Sequence, residues 1–171
     1  RQVRRCLENY KQPVLAEAFI DGREFNVSVM ENSAVTPLPV SEIDFSAMPK
    51  DLPRILGYEA KWFEDNPRYQ KTPPVCPAPI DEELRAKLQG LAAAAFRIMG
   101  CRDYARVDFR MDTKGRPFIL EVNPNPDIST NAGYARALKA GGVAYASFWG
   151  TMIDNAMKRR VVHDPTDGTA R

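Results

Sequence analysis

Residues 105–125, with the sequence ARVDFRMDTKGRPFILEVNPN, combine acidic, basic and amide side chains within two strand-like runs. Successive side chains of a strand point to opposite faces, so Arg106 and Asp108 share one face of the first run. Glu121 and Asn123 share one face of the second run for the same reason. If the two runs pair as a hairpin, these four polar groups meet on a single face of a sheet.

The sequence leaves the register of this hairpin open. A four-residue loop over Asp112–Gly115 places Arg106 opposite Glu121. A shift of two residues places Asp108 opposite Glu121 instead. Both registers keep the polar groups together, because a shift of two residues preserves the face on which each side chain lies.

The acids and the amide predict a site for a hard cation. Neighbouring carboxylates repel each other unless a cation lies between them or one of them is protonated. Oxygen ligands without His or Cys favour Mg²⁺ over zinc, and Mg²⁺ held by few protein oxygens is typically shared with phosphate. The alternative is an exposed face on which Arg106 and Arg110 balance the two acids. The rigid NPNP sequence at 123–126 favours the site, because an exposed face gives no reason for it.

Composition and charge exclude several classes of protein. The chain has 171 residues, of which 44% are hydrophobic, as is typical of a globular protein with one core or two small ones. The formal net charge of +2 gives no general attraction to nucleic acid. The apolar runs are too short to span a membrane. We therefore expect neither a nucleic acid nor a membrane as partner.

The cysteines and the histidine exclude further kinds of site. Cys6, Cys76 and Cys101 are widely spaced and form no CxxC pair, so neither a disulfide framework nor a zinc site is indicated. A reducing cytoplasm is the compartment that this favours. The single histidine, His163, lies in a polar tail, which disfavours a hydrolase of the Ser/His or Cys/His type.

The elements that must position these groups begin with a helix and a hairpin. Residues 1–10 predict a helix, and the run 14–20 predicts a strand. Asp21 and Gly22 then form a two-residue hairpin signal before a second strand at 23–30.

The remaining elements lead to the acidic hairpin and follow it. Residues 34–45 predict an edge or bulged strand because they contain two prolines, and 46–79 read as a long loop. Asp81 caps a helix that ends at Gly100, and a last amphipathic helix is predicted at 143–158. The apolar positions expected on the first of these helices are Leu84, Leu88, Leu91, Ala95, and Ile98 or Met99.

Five motifs, taken in order, resemble the C-terminal half of an ATP-grasp ligase, and most closely the D-alanine:D-alanine ligase branch. They are EAFIDGREF, GYEAKWF, CPAPI, ARVDFRMD and FILEVNPNPDIS. The resemblance implies an α+β fold, an antiparallel sheet with helices packed on one face, for residues 1–160. Residues 161–171 are expected to be a disordered tail. The family resemblance also implies a longer parent protein, whose substrate domain and first ATP-binding lobe precede this chain.

The resemblance also implies an ATP site along the first motif. Glu17 and the backbone of Ala18, Phe19 and Ile20 would contact the adenine edge. Glu24 would then bind the ribose hydroxyls.

The catalytic and metal-binding roles fall on the later motifs. Lys61 would approach the transferred phosphate, and Arg106 would stabilise the acyl phosphate and the tetrahedral intermediate. Asp108 would bind one Mg²⁺, Glu121 would bridge two, and Asn123 would hold the second, with Mn²⁺ as a substitute metal.

The sequence departs from the family after the metal-binding asparagine. Asp127 stands where the family usually has glycine, and Ser129 is the candidate contact to the second substrate. A carboxylate there would repel a substrate carboxylate and attract an amine.

The function implied by the resemblance is that of an ATP-dependent carboxylate–amine ligase for amino acids or peptides, with small-molecule substrates and with a homodimer left open. Three alternatives remain at this point: an ATP-grasp kinase or phosphotransferase, a non-catalytic nucleotide-binding regulatory module, and a structural α+β domain. The isolated chain is expected to be inactive, because the preceding lobe supplies further phosphate-binding lysines.

Overall fold

The computed structural model describes residues 1–49, 51–57 and 71–159. Six strands form one antiparallel sheet in the order β4-β3-β1-β5-β6, with β2 also paired to β1. The helices are α1 (Gln2–Tyr10), α2 (Glu82–Ile98), α3 (Gly133–Ala140) and α4 (Tyr145–Lys158). The strands are β1 (Gly22–Glu31), β2 (Val35–Pro37), β3 (Ser41–Ile43), β4 (Pro74–Val75), β5 (Tyr104–Asp112) and β6 (Pro117–Asn123).

Helix α2 covers one face of the sheet. Apolar side chains at alternate positions of β1 and β5 point toward it, because neighbouring positions of a strand face opposite ways. The predicted cap is confirmed, since the Asp81 carboxylate accepts a hydrogen bond from the Leu84 backbone N at 2.8 Å. This core contains Phe25, Val27, Val29, Leu88, Ala92, Ala95, Phe96, Ala105, Val107, Phe109 and Met111.

The last turn of α2 differs from the expected apolar face. Phe96 is buried, whereas Ile98 and Met99 are 83% and 64% exposed. Ile98 lies two residues beyond Phe96, about 200° around the helix, and so points away from the sheet.

Helices α3 and α4 pack over one end of the opposite face. Their core includes Met30 of β1, which alternates away from the α2 side, together with Tyr104 of β5. The α+β antiparallel architecture is therefore confirmed, but helices lie on both faces of the sheet. Helix α3 was not predicted, because its short apolar pattern at 133–140 follows a turn-rich segment. The other members of this core are Leu38, Tyr134, Ala137, Leu138, Phe148 and Met152.

The predicted strand at 14–20 and the predicted hairpin turn at Asp21 and Gly22 are wrong. Strand β1 is already paired with β5 on one edge and with β2 and β3 on the other, so no edge remains for this segment. Gly22 has a φ of 146°, and a Cβ at this position would overlap the carbonyl oxygen of Met111. The glycine therefore permits the close approach of β1 to β5.

The predicted strand at 34–45 is broken into two short strands. Pro37 ends β2, and β3 begins only at Ser41. Proline lacks a backbone N–H, so this segment pairs with β1 in two separate pieces. Within the part of the chain that the structure describes, no helix is both long enough and apolar enough to cross a membrane.

Candidate active site

Two rows of polar side chains cross three strands on the face opposite α2. Each row takes one residue from β1, one from β5 and one from β6, which lie directly opposite one another in the sheet. Directly opposed side chains in an antiparallel sheet have Cβ atoms about 5 Å apart. The first row is Asn26, Asp108 and Glu121, and the second is Ser28, Arg106 and Asn123.

A β-bulge sets the register of these rows. Phe109 pairs with Ile119, and the next pair is Asp108 with Glu121, so Leu120 is the additional residue in β6. The rows therefore follow the second of the two registers open from the sequence. The four-residue loop register fails by two residues. The turn pairs Met111 with Pro117 and not with Arg116, which shifts the pairing by one residue, and the bulge adds the second, so that Glu121 lies opposite Asp108.

Arg106 forms a two-point ion pair with Asp108. Its Nε lies 2.6 Å from Oδ1 and its Nη2 lies 2.7 Å from Oδ2. Nη2 also lies 3.7 Å from Oε1 of Glu121. Burial lowers the pKa of Arg106, but the carboxylates of Asp108, Glu121 and Asp127 raise it by more, so this guanidinium stays charged.

The oxygen donors of this face fit Mg²⁺. In residues 1–49, 51–57 and 71–159, no group of three or more His, Cys, Asp and Glu side chains is arranged to bind a metal. The donors are instead two carboxylates, Asp108 and Glu121, and the amide of Asn123, a set that suits a hard cation and not zinc. The Oδ1 of Asn123 accepts a hydrogen bond from the Asn125 backbone N at 2.9 Å, which orients the amide.

A second cluster on the same face joins β5 to the segment before β1. Arg110 is 5% exposed and contacts both the carbonyl oxygen of Ile20 and the carboxylate of Glu24. Of the residues expected to contact adenine, Glu17, Ala18 and Phe19 are exposed and Ile20 is half-buried. The structure thus brings Ile20 and Glu24 together through Arg110, a residue that the sequence did not single out as a site residue.

Two further predicted site residues lie in the turn after β6. The carboxylate of Asp127 accepts hydrogen bonds from the backbone N and the Oγ of Ser129, at 2.8 and 2.6 Å. The hydroxyl and the backbone N–H of Ser129 lower the pKa of Asp127, and the charge of Arg106 lowers it further. The remaining predicted residue, Lys61, lies outside the described residues.

Comparison with known proteins places the chain in a family. Residues 2–154 match the family described as "D-ala D-ala ligase C-terminus". The chain belongs to this family. The uncharacterized protein y4sG of Sinorhizobium fredii is 37% identical over 157 residues, which cover 92% of this chain and 45% of that protein. The D-alanine–D-alanine ligase of Bordetella petrii is 34% identical over 157 residues, which cover 91% of this chain and 44% of that protein.

Solved structures share the fold of this D-ala D-ala ligase C-terminal domain. The D-alanine–D-alanine ligase of Coxiella burnetii superposes with a TM-score of 0.65 at 21% identity, over 84% of this chain and 34% of that one. The Bacillus anthracis ligase complexed with ATP gives a TM-score of 0.63 at 20% identity, over 83% and 40% of the two chains. The chain spans less than half the length of each of these relatives.

Two residues of the D-ala D-ala ligase C-terminal domain that lie in the polar rows were not expected from the sequence. The Oδ1 of Asn26 and the Oγ of Ser28 are buried and have no hydrogen-bond partner among the described residues. Such buried polar atoms are uncommon in folded proteins. Their alternation with the buried Phe25, Val27 and Val29 was the available signal, because it places both on the face of Arg106 and Asp108.

Proposed function

We propose that this chain is the C-terminal lobe, residues 1–160, of an ATP- and Mg²⁺-dependent carboxylate–amine ligase that acts through an acyl phosphate. The observation that carries the proposal is the pair of cross-strand rows. They gather Arg106, Asp108, Glu121 and Asn123 on one face of the sheet. The family membership adds support, since the named relatives include D-alanine–D-alanine ligases.

The proposed metal site consists of Asp108, Glu121 and Asn123, with two Mg²⁺ ions as the expected occupancy and Mn²⁺ as a substitute. When bound, the metal would neutralise the phosphate oxygens that come together as the γ-phosphoryl group moves to a carboxylate. Asp108 and Glu121 directly oppose each other across β5 and β6. Two carboxylates at this spacing are most stable when a cation is shared between them.

The proposed role of Arg106 is to hold negative oxygens of the reacting group. Its side chain is 20% exposed and its guanidinium faces the acids of the first row, so it can turn from Asp108 toward a bound anion. Arginine suits this role because it stays charged and presents several donors in one plane. Lys61, which lies outside the described residues, would approach the transferred phosphate. An amine then attacks the acyl phosphate and displaces phosphate, so that no protein nucleophile is needed.

The proposed ATP site uses the other end of the same face. Glu17 and the backbone of Ala18, Phe19 and Ile20 would contact the adenine edge, and Glu24 would bind the ribose. The Ile20 carbonyl and the Glu24 carboxylate both accept hydrogen bonds from Arg110, which supports a common ligand for them.

The proposed substrates are a small carboxylate, in the first place an amino acid, and an amine. Asp127 and Ser129 would line the acceptor side, where the negative charge of Asp127 favours an amine without a nearby carboxylate. A cytoplasmic location is proposed for the parent protein, with neither nucleic acid nor membrane as a partner.

Release of ADP by the full-length parent protein tests this function. The assay supplies Mg²⁺ and ATP with D- and L-amino acids, singly and in pairs. Turnover that needs two amino acids, or an acid and an amine, is expected. Turnover with a single acid would favour a phosphotransferase, and ATP binding without turnover under any condition would favour a regulatory module.

A further inference from the structure

Arg110 is the most buried charged side chain of the polar face, with 5% exposure. Its Nε and Nη2 both donate to the carbonyl oxygen of Ile20, at 3.0 and 2.8 Å. Its Nη1 donates to Oε2 of Glu24 at 3.1 Å. One guanidinium therefore bridges a backbone carbonyl before β1 and a carboxylate on β1.

Two aromatic rings lie close to this guanidinium. The centroids of the Phe19 and Phe45 rings each lie 5.6 Å from the Cζ of Arg110. Phe45 is buried and belongs to a small core with Ile43 and Met48, whereas Phe19 lies in the segment that Arg110 holds. A charged group in such a place is tolerated because Glu24 balances it, and the contacts with the two rings limit its movement.

The segment that carries Ile20 gains its position from this contact. Residues 11–21 form neither helix nor strand and are mostly exposed, so no ladder of sheet hydrogen bonds fixes them. The two hydrogen bonds from Arg110 attach the end of this segment to β5, across 90 residues of sequence. Without them, the carbonyl of Ile20 and the carboxylate of Glu24 could move independently.

We propose that Arg110 is a positioning residue of the nucleotide site, which fixes the backbone at Ile20 relative to the carboxylate of Glu24. This inference rests on the proposed function, in which the segment contacts adenine and Glu24 binds the ribose. Base and ribose are joined by a single glycosidic bond, so both contacts form together only if the protein holds the two groups at a separation that this link can span. With Arg110 in place, Ile20 and Glu24 are held at this separation before ATP binds. The entropy cost of ordering them therefore does not reduce the affinity for ATP.

The test is nucleotide binding by the parent protein with Arg110→Met, measured by calorimetry with ATP and with 2′-deoxy-ATP. A charge-assisted hydrogen bond is worth about tenfold or more in affinity, so wild type should prefer ATP over 2′-deoxy-ATP by about that factor. Arg110→Met should weaken ATP binding by about tenfold or more and bring the two dissociation constants close together. In turnover assays, the KM for ATP should rise while the KM for the amino acid stays within about twofold.

Arg23→Met is the matched control. Arg23 is likewise paired with a glutamate, Glu42, here through two hydrogen bonds of 2.6 and 2.7 Å, and its side chain lies on the face of β1 opposite that of Glu24. This variant removes an arginine–glutamate pair from β1, the strand next to β5, and should leave both nucleotide affinities unchanged. Arg110→Lys covers the case in which Arg110→Met fails to fold, because lysine keeps the charge beside Glu24 but cannot form the paired bonds to Ile20.

The outcomes separate this inference from the proposed function. If wild type, Arg110→Lys and a folded Arg110→Met all prefer ATP over 2′-deoxy-ATP by the same factor, the role of Arg110 is overturned and the ligase proposal still stands. Failure of the wild-type parent protein to bind ATP at all would overturn both. A lower melting temperature of an Arg110 variant with unchanged nucleotide preference would assign Arg110 to stability alone.

Discussion

Arg106 occupies both carboxylate oxygens of Asp108, with Nε–Oδ1 and Nη2–Oδ2 distances of 2.6 and 2.7 Å. A proposed metal ligand and a proposed catalytic arginine are thus bound to each other. A metal ion at Asp108 would compete with the arginine for these oxygens, and an arginine released in this way is available to a bound anion. The same pair therefore links metal binding to the availability of Arg106.

Arg106→Met should affect metal binding and turnover in opposite directions. Loss of the guanidinium removes both a competitor for Asp108 and a repelling positive charge, so Mn²⁺ binding without nucleotide should tighten by about tenfold. Turnover by the parent protein should fall by about a hundredfold or more, because the anion loses its partner. Electron paramagnetic resonance of Mn²⁺ measures the first effect, with Arg23→Met as a control of equal charge. Weaker Mn²⁺ binding in Arg106→Met would contradict the competition.

The two acids of the first row should differ in their effect on stability. The Asp108 side chain is 13% exposed and fully paired, so Asp108→Ala should lower the free energy of unfolding by roughly 2–4 kcal/mol. The Glu121 side chain is 52% exposed and 3.7 Å from Arg106, so Glu121→Ala should cost about 0–1 kcal/mol. Both variants should nevertheless lose Mg²⁺-dependent ATP turnover. Urea unfolding measures the first difference, and retained turnover in either variant would exclude that acid from the metal site.

Asp127→Asn tests the charge at the acceptor side. The asparagine amide oxygen can still accept the hydrogen bond of the Ser129 backbone N, so the turn should be kept while the charge is lost. The kcat/KM for acceptors with a carboxylate beside the amine should rise by about tenfold relative to cationic acceptors. Ser129→Ala, which retains the charge, is the control. An unchanged ratio between the two acceptor classes in Asp127→Asn would exclude a role in selectivity.

Ser28→Ala and Tyr134→Phe should change stability in opposite directions. The Oγ of Ser28 is buried without a partner among the described residues, so its removal should be neutral or stabilise the protein by up to about 1 kcal/mol. The buried Tyr134 hydroxyl donates to the carbonyl oxygen of Val29 at 2.9 Å, and its removal should cost about 1 kcal/mol. Denaturant unfolding without ligand measures both. A clear loss of stability in Ser28→Ala would show that its hydroxyl is satisfied in solution.

The hairpin of β5 and β6 was readable from the sequence because local rules decide it. Period-two alternation placed Arg106, Asp108, Glu121 and Asn123 on one face, and the structure confirms this arrangement. The choice between registers was not readable. It depends on the turn, which pairs Met111 with Pro117, and on the bulge at Leu120, which is set by contacts across the sheet and not by local sequence.

The errors near Gly22 have a different cause. An Asp-Gly pair after an apolar run is a strong hairpin signal, but both edges of β1 are occupied by strands that come later in the chain. Long-range pairing therefore overrode the local preference. Arg110 was overlooked as a site residue for a similar reason, because its partner Ile20 lies 90 residues away in sequence.

The two faces of β5 differ in what a substitution changes: one face affects the amount of folded protein, and the other affects activity. At Ala105, Val107 and Phe109, substitutions disturb the core under α2 and should reduce the amount of protein in cells. At Arg106 and Arg110, many substitutions should leave abundance closer to normal while activity is lost. In a saturation library of β5 scored for both abundance and activity, the effect of the substitutions should thus alternate with a period of two. The scores would then show which side chains of β5 face the core, without any structure.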